Sequence, residues 1–289
     1  MSEHSIPHNP LPKGDGSVQE YRFSKQVRRI RTQFLYVNGI NTPPDVHQNI
    51  AILISSITNT PVTGVYNATD GMLGDLKQCV GDWVRIFGSQ IGEEGFFSDR
   101  LSESAINKIA STSVAGRVSA PYLHALREAW IAPSEVKPAK KTVDEVRKGL
   151  RRNAAALSLF DEVTRNLNRP KIIVAHSQGN LVTSFALWAV QSLYGTKGMS
   201  NLQVRSISSP SPAWPRGINH RIKVYGQKDD LVTWCDPKNW IGARSAGFWR
   251  IYFGDNPKDI RGGNAIAPHD VKYNIERTSL AQRLRSDAK

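Results

Sequence analysis

The chain has 289 residues, enough for one large domain with a well-buried core, or for such a core and a small appendage. Hydrophobic residues make up 39% and charged residues 22%, a balance that excludes a chain disordered over most of its length. The formal net charge is +13, a surplus that favours anionic partners: nucleic acid, acidic lipid head groups or an acidic protein.

The basic residues gather at Lys25–Arg31 (KQVRRIR), Lys137–Lys141 (KPAKK) and Arg147–Arg152 (RKGLRR). No recognisable nucleic-acid module accompanies them, which argues against nucleic acid as the partner. A basic solvated surface is the plain expectation, and a binding surface for an anionic membrane the sharper one. Cys79 and Cys235 form neither a disulfide framework nor a metal-ligand cluster, and read as two unpaired thiols in a reducing compartment. No stretch approaches the roughly 20 apolar residues of a membrane-spanning helix. Met1 to Gly16 is polar, dotted with Pro and Gly, and lacks the basic-then-apolar layout of a signal peptide. Residues 1–30 therefore read as a flexible basic N-terminal arm and 31–289 as the main domain. The expected location is the cytoplasm, or outside the cell by a route that needs no signal peptide.

In chain order, the first strand signal is Gln33–Asn38 (QFLYVN), a short apolar run leading into Asn-Gly. In Pro44–Asn59, Val46, Ile50, Leu53, Ile54 and Ile57 recur at helical spacing, and Pro61 ends the pattern. Val62–Tyr66 (VTGVY) reads as a second strand. Gly71–Phe87 reads as a second helix, with Leu73, Leu76, Val80, Trp83, Val84 and Phe87 on its apolar side. Strand, helix, strand, helix implies a parallel sheet with covering helices. Residues 88–141 break the pattern and read as an insertion between core elements, of the kind that carries specificity on a rigid scaffold. Tyr122–Trp130 is its one helical candidate.

From Thr142 the apolar residues Val143, Val146, Leu150, Leu157, Phe160, Val163 and Leu167 predict one long helix, with Asp144 and Glu145 in its first turn. Lys171–Ala175 (KIIVA) is a strand, Asn180–Leu193 a helix, and Leu202–Ile207, Arg221–Tyr225 and Arg250–Phe253 further strands. Val271–Leu284 closes the chain as a helix.

The most informative stretch is Ile172–Leu181 (IIVAHSQGNL), where a buried strand runs into Ala175-His176-Ser177-Gln178-Gly179 and a helix follows. Ser177 sits at the tip of a tight strand-to-helix turn, where a strained backbone presents its side chain. Ala175 and Gly179, two residues before and after it, are small, as close packing against strand and helix requires. The helix N-terminus points free N–H groups and its positive dipole end at the site, which suits a developing oxyanion. His176 adjoins the serine and is expected to pack the elbow.

This segment resembles the G-x-S-x-G elbow of the α/β-hydrolases, with Ala175 in place of the first glycine. Its His-Ser-Gln-Gly core is similar to that of many bacterial lipases and esterases. The resemblance implies an α/β-hydrolase fold: a mostly parallel sheet flanked by helices, with residues 88–141 as a lid-like insertion. It also implies Ser177 as nucleophile in a triad whose chain order is Ser, then Asp or Glu, then His. Gly226–Val232 (GQKDDLV), after the Arg221 strand, resembles the G-x-x-D-x-x-V loop that carries the acid, which makes Asp229 the acid and Asp230 its competitor. His269, after Gly262 and Gly263 and before the last helix, takes the histidine position. His220 falls at the wrong end of its strand, and His4, His8, His47 and His124 fall outside the expected loops. The oxyanion donors are then the backbone N–H of Gln178 and that of Ile40, with Gly39 as the alternative, in Phe34–Asn41 (FLYVNGIN). Gly39 permits close backbone approach to a substrate.

The implied chemistry is acyl transfer to water with no metal and no organic cofactor. The expected substrate is a carboxylic ester, foremost a lipid or phospholipid acyl ester. A small-ester esterase, a thioesterase or an amidase would use the same triad, and a catalytically silent binding module of the same fold is the reading from another class. A lipase effector delivered by a specialised secretion route fits the same residues.

Overall fold

The computed structural model describes residues 9–28, 30–39, 42–68, 142–151, 153–209, 214–226, 251–253, 271–277 and 279–289. Among them, seven strands form one sheet: β1 (Val18–Tyr21), β2 (Gln33–Val37), β3 (Val62–Val65), β4 (Lys171–His176), β5 (Leu202–Ile207), β6 (Ile222–Gly226) and β7 (Ile251–Phe253). Their order across the sheet is β1-β3-β2-β4-β5-β6-β7. Every neighbouring pair is parallel except β1 with β3. The helices are α1 (Pro44–Thr58), α2 (Val143–Leu150), α3 (Ala154–Thr164), α4 (Gly179–Tyr194), α5 (Val271–Arg277) and α6 (Leu280–Asp287).

The period-two alternation of the strands sorts the core into two layers. Leu35 and Val37 of β2, Ile173 of β4 and Val204 of β5 pack on one face with α2, α3 and α4. Phe34 and Tyr36 of β2, Ile172 and Val174 of β4 and Ile207 of β5 pack on the other with α1, α5 and α6. The chain is thus of the α/β class, a mostly parallel sheet flanked by helices. Every residue of β4 is buried, as expected for a central strand covered on both faces. Helix α4 is buried from Gly179 to Val190, so its apolar residues run round the whole helix.

Local signals fix the element ends. Pro44 opens α1, where a missing N–H costs nothing, and Asn59 closes it in the left-handed conformation, φ 52°. Thr142 and Glu145 form a reciprocal capping box at the start of α2. The long helix expected from Thr142 is in fact two helices. The Asn153 side chain accepts from Ala156 N at 2.8 Å, capping a new start inside an apolar pattern that runs on unbroken. Likewise the last helix is two, α5 and α6.

The stretch 1–30, expected to be a flexible arm, contributes an element of the sheet. Val18–Tyr21 pairs antiparallel with β3, and Tyr21 is fully buried. Gly16, at φ 73°, approaches α3 so closely that an added β-carbon would lie 2.7 Å from Ala154 backbone, and its carbonyl accepts from Ser158 Oγ at 2.7 Å. Four residues, VQEY, are too short a run to announce a strand by alternation. The helix expected at Gly71–Phe87, the insertion 88–141 and its helix Tyr122–Trp130 lie outside the described residues. Among the described residues no helix is long and apolar enough to cross a membrane.

Candidate active site at the switch between β2 and β4

From β2 the chain moves outward to β3, then returns to the other side of β2 as β4. The strand order reverses there, and open parallel α/β sheets bind ligands in the crevice at the carboxyl ends of the strands flanking such a point. The two loops that leave β2 and β4 on this edge hold Asn38-Gly39 and Ser177-Gln178.

Ser177 follows the last residue of β4 and precedes the first of α4. Its φ is 52°, the left-handed region that costs a non-glycine residue about 1–2 kcal/mol. Such strain persists only where neighbouring structure imposes it, and it gathers at functional sites. Here the imposing bonds are visible. Ser177 N donates to Ile207 O at 3.0 Å, and Asn180 N donates to Ser177 O at 3.0 Å. The Asn180 side chain, fully buried, donates to Ser177 O at 3.0 Å and to Ile207 O at 2.9 Å. Its own oxygen accepts from Ser206 Oγ at 2.7 Å. Asn180 therefore staples the turn to the end of β5.

Two glycines let the loops meet. A β-carbon on Gly179 would lie 2.6 Å from the carbonyl oxygens of both Val37 and Asn38, so α4 starts directly against the end of β2. A β-carbon on Gly39 would lie 2.7 Å from Ser177 Cβ and 3.1 Å from His176 Nδ1. Ser177, Gln178 and Gly39 are thus brought together, as the sequence led one to expect, with His176 packed beside them. Ile40, Asp229, Asp230 and His269 lie outside the described residues. Strand β6 ends at Gly226, on the same edge as Ser177.

A polar network behind the two loops was missed in the sequence. Asn38 is fully buried, and its amide nitrogen donates to Gly39 O at 2.8 Å and to Asn67 O at 2.7 Å. Its oxygen accepts from Asn67 N at 2.9 Å and lies 2.8 Å from His47 Nδ1. Asn67 Nδ2 reaches Gln178 Oε1 at 3.2 Å, and Thr42 Oγ1 donates to Gly39 O at 2.9 Å. The one signal for these residues is position: Asn38 and Asn67 each close a buried strand on the same edge of the sheet, where a polar side chain needs a partner.

His47, set aside from the sequence as lying outside the expected loops, is the base of this network. Asn38 Oδ1 is an acceptor, since it takes the Asn67 N–H, so His47 carries its proton on Nδ1. Its Nε2 is buried and has no hydrogen-bond partner among the described residues. The ring stacks on Tyr36 at 5.0 Å and meets Tyr21 and Tyr66 edge-on at 5.7 and 5.3 Å. Burial in this aromatic cage pushes its pKa down to about 3, because the charged form would lose water and gain no partner.

Ser208, one residue past β5, is a second left-handed residue on this edge, with φ 48°. It is fully buried, its N donates to Tyr225 O at 2.8 Å, and its Oγ has no partner among the described residues. Among the described residues no group of three or more His, Cys, Asp or Glu is placed to hold a metal ion.

Compared with protein-family models, curated proteins and solved structures, the chain matches none.

Proposed function

We propose that this chain is a serine hydrolase of the α/β-hydrolase type that cleaves a carboxylic ester, foremost a lipid or phospholipid acyl ester. The observation that carries the reading is Ser177 held at φ 52° on the turn between a buried strand and a helix N-terminus, with Gly39 against it. A strand-to-helix turn without a task does not need a strained serine.

In the mechanism, His269 takes the Ser177 hydroxyl proton as Ser177 Oγ attacks the ester carbonyl carbon. Asp229, with Asp230 as the competing acid, orients the imidazole and stabilises its charged form. The N–H groups of Gln178 and Ile40, or Gly39 in its place, hold the tetrahedral oxyanion, each donor contributing about 3–4 kcal/mol to the transition state. The protonated histidine passes its proton to the leaving alkoxide. Water, deprotonated by the same histidine, then attacks the acyl-serine and releases the acid. The net charge of +13 suits an anionic lipid surface, and residues 88–141 are the candidate lid over the site.

Hydrolysis of nitrophenyl esters of increasing acyl length and of anionic phospholipid vesicles, by wild type and Ser177→Ala side by side, tests the reading. Activity in wild type alone supports it, and the length profile separates lipase from small-ester esterase. Identical traces from two folded proteins overturn ester hydrolysis and leave amide and thioester substrates or a silent binding module.

A further inference from the structure

We propose that Asn38 is a positioning residue for the oxyanion loop: anchored by His47 and Asn67, its amide clamps the Gly39 carbonyl and sets the backbone against Ser177. The inference rests on the serine-hydrolase reading and deepens it by naming what holds the donor geometry.

Each hydrogen-bonding site of the Asn38 amide is used, two as donor and two as acceptor. A buried amide satisfied in this way has one orientation, because rotating it about its last bond would set donors against donors. The Gly39 carbonyl receives a second hydrogen bond from Thr42 Oγ1. In a trans peptide the C=O and the following N–H lie in one plane and point in opposite directions, so holding the oxygen restrains both. Two donors pinning the Gly39 oxygen therefore hold the Gly39 carbonyl in one orientation beside Ser177. Asn67 carries the same restraint to Gln178 through its side chain, so both segments assigned as donors are tied to one buried group.

The chain is built to seat this anchor. A β-carbon on Gly64 would lie 2.4 Å from His47 Nε2 and 2.6 Å from the Tyr21 ring, so Gly64 in β3 leaves the room the imidazole occupies. The tautomer that Asn38 demands leaves Nε2 without a partner among the described residues, in a cage of aromatic rings, and delivers one N–H to Asn38 Oδ1. Preorganised donors act because they cost no reorganisation during the reaction, and a loop free to turn its peptide would forfeit that advantage.

The test compares Asn38→Ala, Thr42→Val, His47→Leu and His47→Asn with wild type on a nitrophenyl ester. The binding of a trifluoromethyl ketone, which forms a tetrahedral adduct with a serine, is measured alongside. Asn38→Ala is expected to lower kcat about 100-fold, the scale of losing one oxyanion donor, with KM changed less than about threefold. The ketone is expected to lose affinity in proportion to kcat/KM, as a transition-state analogue does. Thr42→Val, which removes the second clamp, is expected to lower kcat about tenfold by the same logic. His47→Leu should behave like Asn38→Ala, and His47→Asn, which keeps an N–H near Nδ1, should recover part of the loss. A folded Asn38→Ala protein with wild-type kcat and ketone affinity overturns the inference while the hydrolase reading stands. If Asn38→Ala does not fold, unchanged kcat and ketone affinity in Thr42→Val overturn it. Wild type no more active than Ser177→Ala overturns the hydrolase reading and this inference together.

Discussion

Gly39 leaves no room for a side chain against Ser177: a β-carbon on Gly39 would lie 2.7 Å from Ser177 Cβ. Real β-carbons do not approach one another so closely, and neither neighbour is the loose end of a long side chain. Gly39→Ala is therefore expected to push the β2 loop away from Ser177, the proposed nucleophile. A displacement on the ångström scale costs about 100-fold in rate where geometry is preorganised. Ester kinetics should show a kcat loss of that order, and thermal melting should show a protein that is still folded, because the clash lies at a loop tip and not in the sheet.

The strain at Ser177 has a thermodynamic consequence. A left-handed non-glycine residue costs about 1–2 kcal/mol, and glycine's extra chain entropy offsets about 0.5–1 kcal/mol of that. Ser177→Gly should therefore be more stable than wild type by up to about 1.5 kcal/mol, while losing the proposed activity completely. Ser177→Ala keeps the strain and should show no such gain. Urea unfolding of the three proteins measures the difference. Ser208→Gly, at φ 48°, should gain stability by the same mechanism.

His47 makes stability depend on pH in a defined window. Its folded pKa, about 3, lies below the ordinary 6.5, so between those values the unfolded chain binds a proton that the folded chain does not. Stability from this residue is fully present above pH 6.5 and is lost as pH falls toward 3. One such proton corresponds to a slope of about 1.4 kcal/mol per pH unit. Among the described residues, the groups facing the ring are the rings of Tyr21, Tyr36 and Tyr66 and the amide of Asn38. His47→Asn should flatten the acid limb by up to one proton in unfolding measured from pH 7 to pH 4.

How far the sequence reaches is clear from particular residues. The turn at Ser177 and Gln178 was legible because a short motif names it and a period change from strand to helix places it, and Gly39 because an Asn-Gly pair follows an early strand. Asn38, Asn67, His47 and Asn180 were not legible, because their work is done by tertiary hydrogen bonds. Asn67 meets Asn38 across 29 positions and Gln178 across 111. The break at Asn153 escaped for a different reason: the apolar pattern runs on through it, and only the Asn153 cap marks the new start.

The C-terminal helix is held by a buried ion pair. Arg205 on β5 is fully buried, and its NH2 lies 2.6 Å from Asp287 Oδ2 on α6, with its Nε donating to the same oxygen at 2.7 Å. Gln203 Oε1 accepts from Arg205 NH2 at 2.6 Å, and Arg283 lies 2.9 Å from the other Asp287 oxygen. Removing one partner leaves a buried charge uncompensated, so Asp287→Ala should cost about 3–5 kcal/mol. The double variant Arg205→Met/Asp287→Leu should recover most of that loss in the same unfolding assay, because it leaves no fully buried charge behind; Arg283 is partly exposed.

Reaction of the purified protein with a fluorophosphonate, followed by intact mass and peptide mapping, tests the central claim most directly. The reagent phosphonylates only a serine activated by its surroundings. One adduct per chain, mapped to Ser177 and absent after unfolding or in Ser177→Ala, is the expected result. A folded protein that takes up no reagent, or takes it up equally in Ser177→Ala, would contradict the claim that Ser177 is a nucleophile.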